Sequence, residues 1–212
     1  MAELDTTNIA STSILTPASG VTAVFVDSDK KLKSKNDAGY IINASSFNNF
    51  STSAQTPAAT TRTYLTGSAL SVPAGKLQIG TMFRWIFDMT KTNAGSASST
   101  IDIAFGTAGT TADTARVSFT KPAGTAVVDT GLCLVTATVR GPLSASGVVV
   151  GNFQMTHNLA ATGHATIPCV VVNTVSGAFD ITVANLIVGL CITTGASDAI
   201  TIQQVTAEAM NL

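Results

Sequence analysis

Charge is scarce in this chain. Lys and Arg number 11 and Asp and Glu 12 among 212 residues, 11% in all, where an average globular protein carries about 25%. The formal net charge is -1, so the basic excess that marks a nucleic-acid binder is missing. Aromatic platforms are few, with one Trp and two Tyr. The three cysteines, Cys133, Cys169 and Cys191, are odd in number and widely spaced, which fits neither a disulfide framework nor a zinc site. They read as buried free thiols in strand-like runs. No run approaches the roughly 20 apolar residues of a spanning helix; the best, Ile181 to Ile192, is interrupted by Thr182, Asn185 and Gly189. The start, Met1-Ala2-Glu3-Leu4-Asp5, has no basic segment and no apolar core and does not read as a secretory signal. Expected partners therefore include no nucleic acid and no membrane.

Catalytic motifs are missing as well. The sequence contains no G-x-S-x-G nucleophile elbow, no G-x-x-x-x-G-K-[ST] phosphate loop and no G-x-G-x-x-G fingerprint. Only two histidines exist, His157 and His164. They flank the turn Ala161-Thr162-Gly163 without an Asp, Glu or Cys at metal-ligand spacing, so loop histidines are the expected reading and a His-bound ion the alternative. The carboxylates Asp88, Asp102, Asp113, Asp129, Asp180 and Asp198 are scattered. Distant strands could still bring two of them together as in a glycosidase. The expectation is a protein with no cofactor, no metal and no catalytic residues.

What the chain does have is apolar residues, 45% of the total, with a mean hydropathy of +0.38. A soluble chain this apolar and this poor in charge must cover much of its surface, and association with other subunits does so, because obligate interfaces resemble a core cut in half. The apolar residues come in short runs. Phe83, Trp85, Phe87 and Met89 alternate with Arg84 and Asp88, the period of two that defines a strand. Ile101 to Phe105 and Arg116 to Thr120 alternate too. Further runs cover Leu132 to Val139, Val148 to Thr156, Ile167 to Val172, Ile181 to Ile192 and Ile200 to Val205. Gly- and Pro-containing turns separate them. About eight or nine strands at this spacing, without a helical period, predict an all-β jelly-roll sandwich. Val148-Val149-Val150 and Cys169 to Val172 are apolar on both faces, so one face is expected to line the core and the other to meet a neighbouring subunit.

Residues 1–42 read as an arm and hairpin: a polar lead-in to Gly20, the run Val21 to Val26, an Asp27-Ser28-Asp29 turn, a second run, and a turn at Asn36 to Gly39. The polar segment 43–59 reads as a linker and 60–212 as the jelly-roll domain. The one concentration of charge is Lys30, Lys31, Lys33 and Lys35. It would suit docking on an acidic partner surface, or serve only as a solvated strand balanced by Asp27, Asp29 and Asp37.

Thr16-Pro17-Ala18-Ser19-Gly20, then Val24-Phe25-Val26, then Asp29 to Gly39, resembles a pattern of bacteriophage virion proteins that runs T-P-A-S-G, a strand, D-x-K-L-x-S-K-D-D-A-G. That pattern stands near the N-terminus of tail-fibre, head-fibre and capsid-associated proteins. Asn36 takes the place of the usual Asp, and Tyr40-Ile41-Ile42 replaces a more polar continuation. The resemblance covers residues 16–39 and implies a structural or adhesive virion role, with a trimeric jelly roll after the N-terminal segment. A long fibre needs a stalk of heptads or β-helical repeats, and the chain has neither. A decoration, or cement, protein on the outer capsid surface is therefore expected, a homotrimer bound to the phage major capsid protein, with Lys30, Lys31, Lys33 and Lys35 as capsid-binding residues. A head- or tail-fibre module that binds a host-surface glycan is the alternative, and a carbohydrate-active jelly-roll enzyme the third reading.

Overall fold

The computed structural model describes residues 10, 13–26, 32–39, 41–43, 47–72, 76–196 and 200–212. Two compact units divide between Phe47 and Asn48.

The first unit holds a three-stranded antiparallel sheet of β1 (Ala23–Val26), β2 (Leu32–Lys35) and β3 (Ile41–Asn43), in that order. The β2–β3 turn is the one read from Asn36 to Gly39: Gly39 N donates to Asn36 O, and Gly39 takes the positive φ that suits glycine. Asp37 ties the lead-in to this turn by accepting the Gly20 amide at 2.8 Å.

The second unit is an all-β sandwich of jelly-roll type. Its strands are β4 (Phe47–Ser51), β5 (Thr63–Tyr64), β6 (Leu70–Val72), β7 (Met82–Lys91), β8 (Ser99–Gly106), β9 (Thr114–Lys121), β10 (Asp129–Gly141), β11 (Val148–His157), β12 (Cys169–Val175), β13 (Leu186–Thr193), β14 (Ile200–Thr201) and β15 (Val205–Met210). The larger sheet runs β12-β11-β10-β7-β15-β4, with β14 also on β7. The smaller runs β5-β13-β8-β9, with β6 also on β13. The chain crosses between sheets after β4, β6, β7, β9, β12 and β13. Such crossings let each alternating strand bury one face against the opposite sheet.

The core follows from that alternation. Phe83, Trp85, Phe87 and Met89 are all buried. Phe83 meets Phe105 of the smaller sheet edge-on, and Phe119 meets Phe153. The Trp85 indole N–H, which must find an acceptor when buried, donates to Ser68 O at 2.8 Å. Facing β9 of the smaller sheet, β11 carries Gly151. A Cβ there would lie 2.5 Å from Val117 Cγ1 and 2.7 Å from Phe119 Cζ. Gly151→Ala is accordingly expected to lower stability by about 1–3 kcal/mol through overpacking, read as a lower urea midpoint at unchanged m-value.

Three differences from the sequence reading have local causes. The run from Ile181 becomes a strand only at Leu186, because Asp180 accepts the Thr182 amide in a tight turn and Asn185 adopts a left-handed φ of 58°. The final run splits in two because Gln203 N and Gln204 N turn aside to Asp88 Oδ1. From residue 47 on, the segment 43–59 carries β4, and Gln55 and Ala59 form bridges to Ile202 and Thr194.

Candidate interaction surface

Of the four lysines singled out, Lys30 and Lys31 lie outside the described residues. Lys33 and Lys35 both lie on β2, in register with Phe25 and Ala23 respectively, so period two puts all four on one face of the small sheet. Both are half-buried. Lys35 Nζ donates to Ile14 O at 2.5 Å, which fastens the lead-in to the sheet. Val24, on the opposite face, is 66% exposed.

An extended, partly exposed apolar surface lies on the outer face of the larger sheet. Register places its outward residues in rows that cross the strands. One row reads Asp88, Leu132, Thr156 and Cys169. The next reads Thr206, Ile86, Leu134, Gln154 and Val171. The third reads Glu208, Arg84, Thr136, Asn152 and Asn173. The fourth reads Met210, Met82, Thr138, Val150 and Val175. Leu132, Val171 and Val175 are each more than half exposed. The third row is internally satisfied: Arg84 pairs with Glu208, and Asn152 Nδ2 donates to Asn173 Oδ1. Asp88 spends one oxygen on the Gln203 and Gln204 amides. The face therefore has two largely apolar rows around a self-neutralised polar row. Five strands about 4.8 Å apart and four rows about 6.8 Å apart span roughly 650 Å² in projection, near the ~800 Å² each partner gives to a stable interface.

His157, at the end of β11, and His164, in the following loop, are both buried and hydrogen-bonded. His157 Nδ1 lies 2.7 Å from Asp129 Oδ2 and Nε2 lies 2.6 Å from Ile167 O. Both ring nitrogens face oxygen atoms that can accept. Asp129 Oδ2 also accepts the His164 amide, and Oδ1 the Thr130 amide. Burial pushes the Asp129 carboxyl up, but these hydrogen bonds and the His157 ring outweigh it, and its pKa falls below the ordinary value. His164 Nε2 lies 2.9 Å from Met89 O, while its Nδ1 is buried without a partner. Burial lowers its pKa to about 4. Lys121 Nζ donates to Pro122 O and His164 O, and Lys91 Nζ to Thr92 O, Thr125 O and Val127 O. Together these groups tie the segments 122–128 and 158–168 to the ends of β7, β9 and β11.

The other carboxylates are also committed. Asp102 holds Arg62 through both Nε and Nη2, at 3.0 and 2.6 Å. Asp113 accepts the amides of Ala108 and Gly109, and Asp180 the amide and hydroxyl of Thr182. Asp198 lies outside the described residues. Burial raises the pKa of the Cys133 thiol, and raises Cys191 to about 12, so neither is a ready nucleophile. Among the described residues, no group of three or more His, Cys, Asp or Glu could hold a metal ion, and no helix is long and apolar enough to cross a membrane. No family model, curated protein or solved structure matches the chain.

Proposed function

We propose that the chain is a non-enzymatic structural protein of a bacteriophage virion, a capsid decoration (cement) protein that assembles as a homotrimer on the outer shell. The observation that carries this reading is the charge-poor, largely apolar outer face of the larger sheet. Its rows of Ile86, Leu134 and Val171 and of Met82, Val150 and Val175 are sized for an interface. Arg84 and Glu208 on it are paired with each other and Asp88 accepts the Gln203 and Gln204 amides, so it offers little to a strongly charged partner. A second copy of the same face-bearing chain, itself only 11% charged, is the occupant its chemistry fits. The resemblance of residues 16–39 to virion proteins supplies the setting.

In this reading the N-terminal unit is the anchor. Residues 1–42 reach the major capsid protein, with Lys30, Lys31, Lys33 and Lys35 toward it. Three anchors on one trimer raise the effective concentration of each and give an avidity that a single arm lacks. A clamp across neighbouring capsid subunits opposes their separation under the pressure of packaged DNA. A protein lacking residues 1–42 is expected to remain trimeric and to lose shell binding by at least tenfold, measured by co-sedimentation with undecorated shells. Undiminished binding would remove the anchor role.

The second reading, a head- or tail-fibre module that binds a host-surface glycan, is favoured by one observation, a cleft on the flank of the sandwich. The carbohydrate-active alternative has no such support, because the carboxylates it would use hold backbone amides, Arg62 or His157.

A further inference from the structure

Arg116 occupies an anomalous position in β9. Ile103 pairs with Val117, but the next residue of β8, Ala104, pairs with Ala115, leaving Arg116 as the extra residue of a β-bulge. Bulges redirect a side chain and recur beside functional sites. Here the guanidinium lies over the ring of Phe179, 4.7 Å from its centroid. Its Nε is buried and has no hydrogen-bond partner. A buried N–H of a charged group left without an acceptor costs free energy, so its persistence calls for an explanation.

The rest of the Arg116 side chain borders a cavity. A cleft of about 280 Å³ opens here between Arg116, Phe179, Asp113, Asp180, Thr114 and Val183. It lies just below the ~300–1,000 Å³ of sites for drug-sized ligands, so it fits one ring-sized molecule. The two carboxylates at its wall are the second clue. Asp113 is held by the Ala108 and Gly109 amides at 3.0 and 2.7 Å, and Asp180 by Thr182 N and Oγ1 at 2.8 and 2.7 Å. Those bonds fix both carboxylates as acceptors in place. A simple anion would meet Arg116 and be repelled by the two Asp. A ligand with a carboxylate and adjacent hydroxyls would satisfy all three, with its carboxylate taking the guanidinium N–H groups and its hydroxyls donating to Asp113 and Asp180.

We propose that this cleft is a binding site for a carboxylate-bearing monosaccharide, with Arg116 as the residue that recognises the acid group. The site is independent of the decoration reading and would equip the sandwich to hold an acidic glycan.

The test is a titration of the ¹⁵N-labelled full chain with glucuronic acid, glucose and acetate, following the Arg116 Nε–Hε resonance. Glucuronic acid is expected to shift it saturably, with glucose and acetate each at least tenfold weaker. Phe179→Leu should weaken glucuronic acid at least tenfold at the Arg116 resonance, and Arg116→Gln, followed at the Asp113 and Asp180 backbone amides, should do the same, while the rest of the spectrum is retained. An unmoved Arg116 signal at up to about 10 mM glucuronic acid would overturn the site. Acetate binding as tightly as glucuronic acid would overturn the sugar class, because the cleft would then be reading charge alone.

Discussion

Glutamate at both Leu134 and Val171 is expected to leave the protein folded and monomeric. The two positions stand in one row of the outer face, across β10, β11 and β12. Val171 is 57% exposed, so the folded subunit accommodates a charge there at little cost. Once a neighbouring copy covers the row, each carboxylate is desolvated with no cation facing it. Leaving a buried charge uncompensated costs about 3–5 kcal/mol, or roughly two to four orders of magnitude in a dissociation constant. Light scattering should read a mass of 21.5 kDa for the variant and three times that for the parent. Asn93→Glu, on an exposed turn away from the face, should leave the trimer intact. A variant that stays trimeric would place the interface elsewhere, and a parent that is monomeric would contradict the trimer itself.

The second large effect is acid sensitivity from the cluster around Asp129. His164 is fully buried, and burial holds its pKa at about 4 against an ordinary 6.5. Between those values the unfolded chain binds the proton and the folded protein does not. Stability is therefore complete above about pH 6.5 and is lost as pH falls toward 4, by on the order of 2–3 kcal/mol. Asp129 acts in the same direction at lower pH. Its folded pKa is depressed, so its contribution is present above the ordinary carboxylate value and disappears as pH falls through the folded one. In a pH series of thermal melts, Tm should drop steeply between pH 6.5 and 4. His164→Gln, whose amide can still donate to Met89 O but cannot titrate, should flatten at least half of that drop. Asp129→Ala is expected to cost about 3–5 kcal/mol at pH 7, since it strips His157 Nδ1 and the His164 amide of their shared acceptor. A Tm independent of pH over that range would contradict the buried neutral His164.

The sandwich was legible because its strands are long and alternate cleanly. Phe83, Trp85, Phe87 and Met89 declare a buried face without any knowledge of the partner sheet. The short strands β5 and β6 carry no period of their own; they exist because β13 offers an edge to pair with. The apolar outer face was visible in Val148 to Val150 and Cys169 to Val172, which have more apolar residues than one buried face requires. Its rows were not visible. They depend on register across strands far apart in sequence, as in the Arg84–Glu208 pair. The histidines looked like loop residues, because their burial comes from Asp129 and Met89, far away in the chain. Arg116 carries no local signal at all. It follows Ala115 in an ordinary alternation, and only the shift against β8 turns it toward Phe179.

The most direct test of the decoration role is the copy number of this chain in purified virions relative to the major capsid protein. A ratio comparable to that of the shell subunit is the predicted result. A few copies per particle would assign the chain to a fibre or tail part, and its absence from the particle would contradict the virion role.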